Sequence, residues 1–285
     1  MTLVDIERVS DLIRLATTEV IVPRFRQLGS DDVEEKSPGE VVTIADREAE
    51  AIISRGLREL LPGVPVIGEE AVAADLALLD ALMTEPLVWL VDPLDGTSNF
   101  ARGEDHWATM VALVRGGETV AAWIWRQADE GLWVAEQGSG AWRNGTRVRV
   151  SPGPDDMATL RGAVLARFLT LEERTRMVPA FDLFGDVTDG FSCSGFEYPA
   201  IVTGEEDFAL FQRLLPWDHA PGCLVLTEAG GVAAHPDGTP FRADHAVRRG
   251  LLLARDEHTW QTVRDLLYPD LASVLTAERD FRHHG

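Results

Sequence analysis

Four acids in this chain stand where ordinary surface acids seldom do. Glu69 follows the apolar Val66-Ile67-Gly68, Asp92 and Asp95 follow Leu90-Val91, and Asp218 follows Pro216-Trp217 at the head of an apolar segment. Each sits at the end of a buried strand or the start of a helix, beside Gly or Pro, where the backbone is rigid and the carboxylate can face a cleft. Carboxylates that converge repel one another unless cations lie among them. With no His or Cys at ligand spacing the donors are hard oxygens, which favours Mg²⁺ over zinc. Taken singly, each acid has an ordinary explanation. Asp218 would favour a helix N-terminus through the macrodipole, and Asp95-Gly96 is turn chemistry. Thr43-Ile44-Ala45-Asp46 has capping-box spacing, with Thr43 as the cap. The combination is what points to a metal-assisted reaction.

Composition agrees. The 285 residues carry 26 basic and 47 acidic groups, a net charge of −21. Nucleic-acid backbones and anionic membranes repel such a chain, and Arg147-Val148-Arg149 and Arg248-Arg249 are too short to make a basic patch. A reaction that builds up negative charge would have to draw its stabilisation in so acidic a chain from bound cations. Lys36 is the sole lysine, a compact ammonium unlike the planar guanidinium of every other basic residue here. Cys193 and Cys223 form no Cys-x-x-Cys pair, so neither a disulfide framework nor a thiolate zinc site is expected. No apolar run reaches the roughly 18 residues of a membrane span, and the first residues lack a basic-then-apolar leader. The expectation is a cytoplasmic protein.

The elements that must hold the acids follow from periodicity. Ile6, Val9, Ile13, Ala16 and Val20 recur at helical spacing until Pro23, and residues 29–40 read as a charged loop. A second helix carries Ala45, Ala49, Ile53 and Leu57 on one side, and Leu76 to Leu82 is a short one. Val64-Pro65-Val66-Ile67 and Val88-Trp89-Leu90-Val91 read as buried strands, the second ending at Asp92. Segments 107–114, 119–125 and 132–136 read as antiparallel strands, and Asn144-Gly145 as a tight hairpin. The amphipathic strands near 107–125 could supply part of a subunit interface. Beyond residue 150, strands near 162–166, 208–211, 231–234 and 250–254 alternate with helices near 171–178, 197–203, 218–229 and 256–267. The reading is one domain with two packed halves: residues 1–150, carrying most of the acids, and 151–270, carrying Asp218. Residues 271–285 form a tail.

With these motifs the sequence resembles the inositol monophosphatase family. The resemblance rests on Gly68-Glu69-Glu70, on Trp89-Leu90-Val91-Asp92-Pro93-Leu94-Asp95-Gly96-Thr97-Ser98-Asn99-Phe100, and on Pro216-Trp217-Asp218-His219-Ala220-Pro221-Gly222 with Glu228-Ala229-Gly230-Gly231. Gly140-Ala141-Trp142-Arg143-Asn144-Gly145 adds a further landmark, and the similarity covers roughly residues 5–268. It implies an α+β fold, a layered α-β-α-β-α sandwich, and a Mg²⁺-dependent phosphomonoesterase with two or three ions per site, homodimeric, acting on a small phosphorylated substrate. By position, Glu69, Asp92 and the Leu94 carbonyl would hold one ion, and Asp92, Asp95 and Asp218 a second. The Gly96 and Thr97 amides would hold phosphate oxygens. Asp46 and the Thr97 hydroxyl would activate water, with Glu69 and Lys36 assisting.

The resemblance weakens on the substrate side. Where family members acting on inositol phosphate place a sugar-binding glutamate, this chain has Phe211, followed by Gln212 and Arg213. An aromatic ring cannot accept hydroxyl hydrogen bonds as a carboxylate does. Arg213 could read a second anionic group, while Ser194 and Glu197 stand on the other expected wall. A phosphorylated polyol or sugar is the primary expectation. Histidinol phosphate, a sugar bisphosphate or a nucleotide are alternatives on the same fold, and a non-catalytic regulatory protein acting through a partner is the alternative of another class.

Overall fold

Apolar residues at every third or fourth position form α1 (Ile6–Ala16), whose first turn Asp5 caps through the Arg8 amide at 3.2 Å. The helix does not run on to residue 22 as its periodicity predicts. It widens into a π turn over Thr17–Ile21 and tightens into a 3₁₀ turn at Val22–Arg24, where Pro23 offers no amide to continue the ladder. The computed structural model describes residues 3–29, 32–37, 40–245 and 248–271, without the side chains of 36, 37 and 40. The predicted tail from 272 onward lies outside the described residues.

The charged segment read as a loop is instead a hairpin, β1 (Val33–Ser37) and β2 (Glu40–Thr43), with Val33 opposite Thr43. Val42 is buried, so the pair is anchored by its apolar strand. Next come α2 (Ile44–Leu60), β3 (Val66–Gly68), α3 (Glu69–Ala74) and α4 (Ala81–Thr84). The strand predicted to stop at Asp92 runs on as β4 (Leu87–Asp95), with a bulge between Asp92 and Asp95. A bulge re-aims side chains without ending the strand, so the motif acids are strand residues with a fixed direction. After α5 (Thr97–Ala101) follow β5 (Ala108–Arg115), β6 (Glu118–Arg126), β7 (Gly131–Glu136), β8 (Gly140–Arg143) and β9 (Thr146–Val148).

Strands β3 to β9 form one seven-stranded sheet in sequential order, parallel only between β3 and β4. The chain continues through β10 (Arg161–Val164), α6 (Leu171–Phe181), β11 (Asp186–Thr188), α7 (Ser194–Thr203), β12 (Phe208–Phe211) and α8 (Pro216–Glu228). It ends with β13 (Val232–Ala234), β14 (Leu251–Ala254) and α9 (Glu257–Leu267). A five-stranded sheet orders these as β11-β10-β12-β14-β13. The periodicity had not revealed β11.

Three apolar cores glue five layers. One joins α1 and α2 to the outer face of the large sheet through Ile13, Ile53, Leu57, Trp89 and Trp123. A second holds α7 and α8 between the two sheets, and a third joins the outer face of the small sheet to α6 and α9. Nearly every residue of α7 and α8 is buried, as a helix covered on all sides requires. The result is a layered α-β-α-β-α sandwich. Within it, β5 and most of β6 lie in mid-sheet and are buried on both faces. Those strands are interior and offer no subunit interface.

Candidate active site

The bulged end of β4 is the hub of the site. Asp92 Oδ1 accepts from the Leu94 amide at 3.0 Å, and the Leu94 carbonyl lies 2.8 Å from the Thr97 hydroxyl. Gly96 makes the turn with φ 82°. A Cβ there would meet the His106 carbonyl at 2.7 Å, so both the conformation and the space demand glycine. Asp95 is buried and its Oδ2 accepts from the Gly195 amide at 2.6 Å, the Ser194 hydroxyl at 3.0 Å and the Cys193 thiol at 3.1 Å. The start of α7 thereby clamps Asp95 from the opposite layer. Cys193 is a buried donor here, its thiol pushed well up by burial and by Asp95, and it has no nucleophile's environment.

Asp46 serves two roles that the sequence offered as alternatives. Oδ2 completes the capping box of α2, accepting from the Thr43 amide at 2.7 Å and its hydroxyl at 2.6 Å. Oδ1 lies 2.9 Å from the Thr97 hydroxyl. That hydroxyl has one proton and two acceptors in reach, Asp46 and the Leu94 carbonyl. Burial, with the charges of Glu70 and Glu69, lifts the Asp46 carboxyl to about 7 against the Thr43 hydrogen bonds.

Glu69, Asp92, Leu94, Asp95, Gly96, Thr97 and Asp218 all line one cavity of about 390 Å³, together with Ser194, Phe211 and Arg213. The structure thus brings the acids from β4, α3 and α8 to one place. Burial and mutual charge push Asp92 and Asp218 well above the usual carboxylate range, and Asp95 to about 6. The Asp218 charge raises Asp92, and the charges of Asp95 and Glu69 raise both. Carboxylates crowded in this way favour a shared proton or a cation among them. Among the described residues no three His, Cys, Asp or Glu side chains close into a finished cage; the acids share the lining of one cavity. Hard oxygen donors, repulsion that a positive charge would remove and an open cavity fit a divalent cation such as Mg²⁺.

One expectation does not hold and one lies beyond view. Glu197 does not reach the cavity: it is fully buried, and its Oε1 accepts from the Phe191 amide at 2.5 Å. Phe211 lines the cavity and stacks on Tyr198 at 6.0 Å between ring centroids, an aromatic wall that supplies shape and no acceptor. Lys36 belongs to β1, beside the Val41 of β2 that lines the cavity, but its side chain lies outside the described structure.

One residue escaped the sequence reading. Glu50 is buried on α2, and its carboxylate accepts from the Glu70 amide at 2.7 Å and the Ala71 amide at 3.0 Å. It thereby caps α3 and sets the direction of Glu69. Gly68 makes room, since a Cβ there would lie 2.2 Å from the Glu50 carboxyl carbon. The signal was present: Glu50 follows Asp46 by four residues and shares the inward face of Ala49 and Ile53. Burial and the charges of Glu70 and Glu69 raise its carboxyl to about 7.

Comparison with known proteins agrees with this geometry. The model of the inositol monophosphatase family matches residues 5–269. An inositol-1-monophosphatase of Rhizobium meliloti is 30% identical over 253 residues, covering 87% of this chain and 91% of the relative. A Nus factor SuhB of Vibrio cholerae is 32% identical over 206 residues, 70% of this chain and 73% of its own. In fold, inositol monophosphatase II of Staphylococcus aureus superposes with a TM-score of 0.76 at 21% identity, over 95% of this chain and 96% of that one. The chain belongs to the inositol monophosphatase family, and its class of activity is phosphomonoester hydrolysis.

Proposed function

We propose that the protein hydrolyses a small phosphorylated polyol or sugar with Mg²⁺ held by Glu69, Asp92, the Leu94 carbonyl, Asp95 and Asp218. The observation that carries this reading is the single cavity in which mutually repelling acids meet the Gly96–Thr97 turn. Bound there, the cations would neutralise a phosphate dianion, stabilise the departing alkoxide and make a water more acidic. The chain's own residues do the rest. The first amides of α5 lack intrahelical partners and can donate to phosphate oxygens. Asp46 and the Thr97 hydroxyl, 2.9 Å apart, form a relay that can take a proton from the attacking water. A carboxyl poised near neutral pH suits that task, and cations bound nearby would favour its carboxylate form. Lys36, carried by the hairpin beside the cavity, is a further positive group in this proposal, and a kinetically silent Lys36→Arg would remove it. The family resemblance supports a homodimer in the cytoplasm. Among the described residues, no helix is long and apolar enough to cross a membrane.

The test is phosphate release, with and without Mg²⁺, from inositol 1-phosphate, fructose 1,6-bisphosphate, histidinol phosphate, glycerol 2-phosphate and 3′-phosphoadenosine 5′-phosphate. Magnesium-dependent turnover of a polyol or sugar phosphate is the expected result. Turnover confined to the nucleotide or to histidinol phosphate would move the reading to that substrate. No turnover of any compound would favour a regulatory role through a partner, the reading suggested by the relative called a Nus factor.

A further inference from the structure

The floor of the cavity is acidic, but its rim is not. Arg102, Arg167 and Arg213 line the same cavity from three separate segments, in a chain with a net charge of −21. The topology accounts for two of them. Strands β10 and β12 run parallel with Val164 opposite Leu210, so their C-terminal ends open side by side. Arg167 lies three residues beyond β10 and Arg213 two residues beyond β12. The crevice outside the carboxyl ends of parallel strands is where open α/β sheets take ligands.

Both side chains are braced. The guanidinium carbon of Arg167 lies 4.8 Å from the centroid of the Phe168 ring, and that of Arg213 lies 5.8 Å from the same ring. Such contact orients the planar donor fork. The Arg213 main chain is fixed as well: its carbonyl accepts from His219 Nε2 at 3.0 Å, while Nδ1 accepts from the Tyr198 hydroxyl at 3.0 Å. A carbonyl can only accept, so Nε2 carries the ring proton and Nδ1 is the acceptor. Arg102 is already committed, at 2.8 Å to Glu104 and 2.5 Å to Asn99. Arg167 makes no hydrogen bond or ion pair with another described residue, and the Asp189 charge is what supports its own. Burial and the charges of Arg213 and Arg102 oppose it. Asp189 offsets part of this charge at Arg167 and Asp218 part of it at Arg213, and an anion placed among the guanidiniums would add to that. The wall they share offers no carboxylate to neutral hydroxyls, since Phe211 stands there and Glu197 points elsewhere.

We infer that Arg167 and Arg213 form a subsite for a second anionic group, a phosphate or carboxylate carried on the same small molecule as the phosphate that is cleaved. His219 is a positioning residue for this subsite. The inference rests on the phosphomonoesterase reading and narrows it to substrates with two anionic groups.

Matched pairs of compounds test it. With Mg²⁺ present, kcat/KM is compared for fructose 1,6-bisphosphate against fructose 1-phosphate and for 2-phosphoglycerate against glycerol 2-phosphate. The first pair reads a second phosphate and the second a carboxylate. The doubly anionic partner should be preferred at least about tenfold in one pair. Arg167→Gln and Arg213→Gln should each erase that preference, on the order of ten- to a hundredfold and mainly through KM. Arg167→Lys should recover part of it, keeping the charge without the fork. A preference in neither pair, or one that survives both Gln variants, overturns the subsite. If nothing is turned over, the phosphatase reading fails and the subsite is still read by calorimetric titration of the same pairs into Mg²⁺-loaded protein. Tighter binding of the doubly anionic partner, weakened by Arg167→Gln, upholds it; equal binding of the two partners overturns it.

Discussion

Two groups of buried acids lie within this fold, and they resolve the same repulsion differently. On the cavity floor, Asp92, Asp95 and Asp218 come from the bulged strand β4 and from α8 and face a space that an ion can enter. One layer away, Glu197 on α7 meets Glu206 in the connection to β12, with Glu197 fully and Glu206 almost fully buried. The Oε2 atoms of both glutamates are buried with no hydrogen-bond partner among the described residues, and each carboxyl acts on the other. Two buried carboxyls that interact in this way favour one proton kept between them over two charges. The floor is built to exchange its protons for a cation, whereas the Glu197–Glu206 pair keeps a proton. A buried acid therefore says little about function on its own, and what separates the two groups is the open cavity on one of them.

The largest expected effect falls on the floor. Asp95→Asn keeps an acceptor for the Gly195 amide but removes a charge, so turnover with Mg²⁺ should fall on the order of 10³-fold or more. Without metal, the variant should melt within a few degrees of the wild type, because one repelling acid has gone. Mg²⁺ at a hundred times its Kd should stabilise the wild type by about 2.7 kcal/mol, and the variant should show most of that rise lost. Full activity in Asp95→Asn, measured as phosphate release, would show that the two groups of acids do not differ as argued. Glu50→Gln should have a smaller effect. Its amide would point one N–H at the donors Glu70 and Ala71, loosening α3 and Glu69. Half-saturation by Mg²⁺ should rise about tenfold, with most of kcat recovered at high Mg²⁺. Equal loss at every Mg²⁺ concentration would make Glu50 part of the chemistry rather than of its support.

Much of the floor was legible in the sequence, because strand ends and helix starts are local features. Asp92, Asp95 and Asp218 each follow an apolar run that a short window detects. The capping box of Asp46 was equally local, whereas its second oxygen on Thr97 joins residues 51 apart in sequence. Elsewhere the deciding contacts are long-range. The hairpin β1–β2 was hidden because Glu34, Glu35, Pro38 and Gly39 read as a charged loop, and only pairing with Val41-Val42 supplies the strand. The direction of Glu197 could not be read at all. Helix α7 is covered by a sheet on each side, so helical periodicity carries no inside or outside signal there. Arg167 needed the parallel register of β10 and β12, which no single window contains.

The smallest and sharpest comparison is Glu197→Gln. Burial and the neighbouring carboxyl raise Glu197 well above its ordinary 4.5, and burial with the Glu205 and Asp207 charges raises Glu206 to about 7, against Arg161 and the Glu197 hydrogen bond. An acid raised in the folded state holds its proton where the unfolded chain has released it. Its contribution to stability is complete below pH 4.5 and is lost as pH rises through 7 and beyond. In Glu197→Gln the amide can donate to Glu206 permanently while its carbonyl still accepts from the Phe191 amide. The variant should therefore match the wild type near pH 4.5 and exceed it at pH 8 by about 1–3 kcal/mol, roughly 2–5 °C in Tm. Melting curves would be recorded with Mg²⁺ present, so that the floor is held constant, and kcat should change less than about twofold because Glu197 does not reach the cavity. A variant less stable than the wild type at pH 8 would mean that this pair shares no proton. A kcat that fell with it would place Glu197 back among the residues of the site.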